Sequence, residues 1–97
     1  MTSKFDPSRG QIFSVEDGVV VVEYYHFGED VLYEFAEQIR FDETGQTEIA
    51  RLIGRSDIRD PDSLATALKD KFVTHYAVRD FADEHGIPYE HRRDLNP

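Results

Sequence analysis

The chain has 97 residues, no cysteine, and 20 acidic against 11 basic side chains, a net charge of −9. This length suits one domain with a modest core, and the missing cysteines exclude disulfides, thiolate metal sites and a cysteine nucleophile. The acidity argues against direct binding to nucleic acid or to an anionic membrane, and no apolar run approaches the ~20 residues of a membrane span. The polar start, Met1–Gly10, does not read as a signal peptide, so the expectation is a soluble, cytoplasmic protein.

The charge is unevenly placed. Residues 11–50 hold ten acids and one base, Arg40, and so account for the entire net charge, while residues 51–70 are balanced. An acidic adaptation for solubility or for high salt would spread acids over the whole surface. A GC-rich or halophilic source fits the excess of arginine over lysine but does not explain the clustering. Localised charge acts on steering and partner choice.

In chain order, residues 1–10 lack apolar periodicity and read as a flexible arm. Gln11–Val15 reads as a strand, and Asp17-Gly18 as a two-residue hairpin loop, because a type I′ turn needs positive φ at both central positions. Val19–Phe27, rich in β-branched and aromatic residues, is the returning strand. This loop predicts that Val15 faces Val20, Phe13 faces Val22 and Gln11 faces Tyr24. Phe13, Val15, Val20, Val22 and Tyr24 then share a core face, and Ile12, Ser14, Glu16, Val19, Val21, Glu23 and Tyr25 share a mixed one.

Asp30–Asp42 fits two patterns. Alternation places Val31, Tyr33, Phe35, Ile39 and Phe41 on one face, interrupted by Glu37. Helical spacing gathers Val31, Leu32, Phe35, Ala36 and Ile39. The flanking segments Phe27–Asp30 and Phe41–Gln46 read as turns and favour the strand; Thr47–Ile53 stays open between strand and helix, closed by Gly54.

The second half is plainer. Asp60 can cap a helix that has Pro61 at its first position and Leu64, Leu68 and Phe72 along one face. Thr74 caps the next helix, with Val78, Phe81 and Ala82 inward and His85-Gly86 at its end. Ile87–Arg92 reads as a strand that Pro88 restricts to an edge or a start. The fold class is therefore α+β: a small antiparallel meander of three to five strands with two or more helices from the C-terminal half packed on one face, spanning 11–92, with 93–97 as a tail.

No nucleophile elbow, P-loop or dinucleotide fingerprint is present, and no catalytic residue or cofactor is assigned. His85 and His91, with five residues between them, could join Glu84 or Glu90 in a metal site, but they straddle a glycine and a proposed strand, and no acidic calcium loop exists, so no metal is assigned. The acidic pairs carry more. Glu16-Asp17 and Asp42-Glu43 fall at turns on the same end of a meander, with Glu48 close by, and Glu29-Asp30 falls at the other end. No base nearby in sequence neutralises the first group, so Glu16, Asp17, Asp42, Glu43 and Glu48 are the candidate acidic rim for a basic protein surface. Val19, Val21, Glu23 and Tyr25, on the mixed face, are the candidate apolar and aromatic contact patch.

The sequence thus points to a non-enzymatic binding protein, such as an inhibitor or immunity-type antagonist of the kind phages direct against defence complexes. Its partner would have a basic, nucleic-acid-binding surface. The alternatives are a homodimeric accessory module that covers the valine-rich face with a second copy, and a small metal-dependent enzyme.

Overall fold

The structure is a computed structural model that describes residues 11–26, 35–72 and 74–93. The expected arm at 1–10, the turn at Phe27–Asp30 with its acidic pair, Val31, Leu32 and Tyr33, and residues 94–97 lie outside the described residues.

Strand β1 (Gln11–Glu16) and strand β2 (Val19–His26) form the expected hairpin. Asp17 and Gly18 have φ of 52° and 79°, the two left-handed positions that a primed turn requires. The register is the one the loop dictates: Val15 opposite Val20, Phe13 opposite Val22, Gln11 opposite Tyr24. Strand β3 (Phe35–Phe41) pairs antiparallel with β2, placing Phe41 opposite Val20 and Ile39 opposite Val22. These four side chains are completely buried. The strand wins over the helix here because alternation buries both Ile39 and Phe41, whereas the helical stripe omits Phe41.

The segment expected to turn after Phe41 instead starts a helix. Helix α1 spans Glu43–Ile53, with Asp42 as its N-cap, and the Asp42 carboxylate accepts a hydrogen bond from Gly45 N at 3.1 Å. Thr47–Ile53, open in the sequence reading, belongs to this helix. Gly45 looks like a turn glycine but serves close packing. A Cβ there would lie 2.7 Å from the Pro88 carbonyl oxygen and 3.2 Å from the Phe41 ring. Gly54, at φ 72°, ends the helix with its N–H on the Ala50 carbonyl.

Helix α2 (Pro61–Lys71) opens with a reciprocal cap in which Asp60 accepts from Ser63 N and the Ser63 hydroxyl accepts from Asp60 N. Helix α3 (His75–Glu84) is capped by Thr74, as the sequence indicates, and Gly86 follows it at φ 66°. Strand β4 (Glu90–Arg93) pairs antiparallel with β3 and reaches one residue past the expected boundary at Arg92. Ile87, Pro88 and Tyr89, expected in this strand, precede it; Ile87 is buried and donates its N–H to Ala82 O at 2.8 Å.

The result is a four-stranded antiparallel sheet in the order β1-β2-β3-β4, with helices packed on one face. Helix α2 lies over β1 and β2, α1 against β3 and α3 against β2. Val20, Val22, Ile39 and Phe41 from the sheet meet Ile49, Leu64, Leu68, Val78, Ala82 and Ile87 in one core.

Candidate protein-binding surface

One side chain organises the acidic end. The Gln46 carboxamide donates to Gly18 O at 2.7 Å and to Phe41 O at 2.8 Å, tying the β1–β2 turn to the first turn of α1. Asp17 in the turn, Asp42 at the cap and Glu43 in the first helical turn are therefore neighbours, all exposed. They make no ion pair among the described residues. Their placement follows from local chemistry: Asp tolerates the left-handed turn position, and a carboxylate at an N-cap or in a first helical turn faces unpaired backbone N–H groups.

The other two candidates of the rim are engaged elsewhere. Glu16 pairs with Arg40 Nη2 at 2.8 Å, and Glu48 pairs with Arg51 at 2.6 Å on the exposed side of α1. The expectation that no base lies near the rim therefore needs correction. Arg51 stands three residues after Glu48, and Arg40 reaches Glu16 across the sheet. Arg40 is the one base among the acids of residues 11–50. Its side chain is only 10% exposed, also donates to Gln38 Oε1 at 2.8 Å, and lies 3.8 Å from Glu90.

Beside the acidic end runs a groove of about 500 Å³ between the hairpin turn, α1 and the start of α2. Ala50, Ile58, Pro61 and Leu64 give it an apolar lining, and Glu43, Arg59 and Asp60 stand along it. Hydrogen bonds from the Ser63 backbone and side chain hold the Asp60 carboxyl below its ordinary pKa.

The sheet face away from the helices carries the second candidate patch. No described helix covers it. Ile12 is 46% exposed there, and Val19 and Glu23 are half-buried. Val21 is only 2% exposed, and sits between Ser14 and Arg40 in the cross-strand row. Tyr25 pairs through its backbone with Ala36, and its side chain lies outside the described residues. Val19 lines a second cavity, of about 400 Å³, with Arg40, Asp42, Tyr89, Glu90 and Arg92.

A polar cluster that the sequence reading passed over closes one end of the core. Glu37, the residue that interrupts the apolar alternation of β3, is 5% exposed. Its Oε2 lies 2.9 Å from His91 Nε2 and 3.1 Å from Arg93 Nε, both on β4. Across the other strand pair it faces Tyr24, whose ring stacks on buried His75 with centroids 3.5 Å apart. The signal for this cluster was present: a carboxylate at a core position of a strand demands partners. The sequence reading ends the strand at Arg92 and puts Arg93 in the tail, so it gives Glu37 no cross-strand partner.

Burial, and then the negative charge of Glu37, pushes the Tyr24 phenol up from its ordinary 10.0 to about 12. The fold thus favours the protonated phenol. Its contribution to stability is complete below pH 10 and is lost as pH rises through about 12. Denaturant titrations across this alkaline window should show a shallower fall in stability for Tyr24→Phe than for the natural chain. Phenolate absorbance should lose one late-titrating tyrosine. An unchanged alkaline slope would contradict this assignment.

His85 packs on the Phe81 ring and His91 on Glu37, and no group of three or more potential metal-ligating side chains occurs among the described residues. No described helix is long and apolar enough to cross a membrane. Comparison with protein-family models, with curated proteins and with solved structures returned no match.

Proposed function

We propose that this is a small, cytoplasmic, non-enzymatic protein-binding module that uses its acidic end to engage a basic partner surface, in the manner of an inhibitor or immunity-type antagonist. The supporting observation is the double hydrogen bond of Gln46, which ties the Asp17-Gly18 turn to the α1 start that carries Asp42 and Glu43, three exposed carboxylates with no ion pair among the described residues. Carboxylates so placed steer a cationic protein and fix its orientation more than they add affinity. The rim is narrower than the five residues first considered, since Glu16 and Glu48 are ion-paired. A partner whose basic patch normally holds nucleic acid fits this charge pattern, and the protein itself binds neither nucleic acid nor membrane.

The test is the triple variant D17N/D42N/E43Q. It removes three charges and keeps the cap, because Asn caps as well as Asp. Its affinity for a twelve-residue Lys/Arg-rich peptide at low salt should fall about tenfold, roughly three exposed ion pairs' worth. Equal affinity of the two proteins would contradict the proposal.

The sheet face that no described helix covers favours a second reading, a homodimer that buries Ile12, which is 46% exposed. Sedimentation at micromolar concentration separates the two, since a monomer leaves that face to a foreign partner or to solvent.

A further inference from the structure

We infer that the groove between α1 and the start of α2 seats a single arginine or lysine side chain of a protein partner, with its aliphatic stem on Ala50 and Ile58 and its cationic head at Glu43 and Asp60. This rests on the reading of the acidic end as a protein-binding surface and names what that surface takes.

The argument is one of paired chemistry. An apolar groove alone accepts any hydrophobic side chain, and exposed carboxylates alone accept any cation. Here both line one groove, and a guest with an apolar stem and a charged head meets them in series. The groove, about 500 Å³, has an apolar lining with two carboxylates against one guanidinium, Arg59. This volume lies within the range of ordinary ligand pockets, roughly 300–1,000 Å³. Long basic side chains are built in the same series, since they lay a methylene stem on apolar surface and hold the charge at its edge. The Asp60 carboxylate uses Oδ1 for the helix cap and retains acceptor capacity for a guest cation. Glu43 is exposed and makes no ion pair among the described residues. Gln46, which lines the groove, bonds the carbonyls of Gly18 and Phe41, the residues next to Asp17 and Asp42, so two further carboxylates add to the negative field at this end of the molecule.

Arg59 supplies a test with the opposite sign. As the lone cation of the lining it opposes a basic guest. Its removal should tighten binding, which a loss of structure would not do.

The experiment is a ¹H–¹⁵N titration of the intact protein with the capped peptide Ac-Gly-Val-Arg-Val-Gly-NH₂ and with its norleucine counterpart. The arginine peptide should shift the amides of Gly18, Gln46, Thr47 and Ile58. The norleucine peptide should bind about tenfold more weakly, because it retains the stem and lacks the head. Arg59→Gln should tighten the arginine peptide by about threefold, and E43Q/D60N, which keeps the cap, should weaken it by about tenfold. Ala50→Phe, which fills the groove, should abolish the shifts. If that variant does not fold, E43Q/D60N carries the test.

Equal binding of the two peptides, or undiminished binding by E43Q/D60N, would overturn the inference. Salt-dependent shifts confined to Asp17 and Asp42 would overturn the groove assignment and leave the acidic-end reading standing. No salt-dependent shift anywhere would remove both.

Discussion

Replacing Glu37 with alanine should lower the unfolding free energy by about 2 kcal/mol, the scale for losing charge-assisted hydrogen bonds whose cationic partners stay solvated. Glu37 is 5% exposed and holds His91 and Arg93 of β4 against the core edge. All four residues of β4 are exposed, so the strand gains little from burying its own side chains and depends on its backbone ladder and on this carboxylate. The loss should therefore appear locally as well as globally. Amide exchange in residues 90–93 should accelerate more than in β1 or β2. Glu37→Gln keeps a polar group opposite Tyr24 and should cost less than alanine. The paired change Tyr24→Phe with Glu37→Leu replaces two facing polar side chains by an apolar pair and should recover part of the loss, because a well-packed apolar pair can match a buried polar one. A native-like stability for Glu37→Ala would show that β4 is held by its ladder alone.

The second large effect reverses a familiar sign. Gly45→Ala lies in the first turn of a helix, where propensity alone favours alanine by up to about 1 kcal/mol. Here the added methyl would meet the Pro88 carbonyl oxygen at 2.7 Å. That oxygen is backbone, fixed between the buried Ile87 and Tyr89, whose ring makes an edge contact with Phe41. The substitution should destabilise the protein by about 2 kcal/mol, in the range for overpacking. Gly54→Ala should cost less: it meets no atom within 4 Å and suffers only from its φ of 72°. Denaturant midpoints for the two variants measure the difference, and a stabilised Gly45→Ala would show that the segment from Ile87 to Tyr89 can shift.

How legible the fold was depends on whether a signal is local. The hairpin register followed from Asp17-Gly18 alone, since the turn type fixes which residues oppose each other. Helices α2 and α3 followed from Asp60-Pro61 and from Thr74, whose side chains act on backbone within three residues. Helix α1 was misread at its start. Asp42, Glu43 and Gly45 suit a turn and a capped first helical turn equally well, and the reason for a glycine at 45, its approach to the Pro88 carbonyl, lies 43 positions away in the chain.

The candidate site divides along the same line. The shared end of Asp17, Asp42 and Glu43 could be foreseen from meander geometry, whereas the Gln46 bond that ties them needed the helix. The neutralisation of Glu16 could not be foreseen, because Arg40 reaches it across β2. The groove also joins segments distant in sequence, the hairpin turn and the start of α2.

The claim that the exposed carboxylates of the hairpin turn and of the α1 start steer a cationic protein is tested most directly by association rates. Stopped-flow measurement with the Lys/Arg-rich peptide, from low to physiological ionic strength, should show the rate constant falling by about tenfold while dissociation changes little. The triple amide variant, which keeps a net charge of about −6, should show a clearly shallower profile. Association that is independent of salt, or equally steep in the variant, would contradict the account.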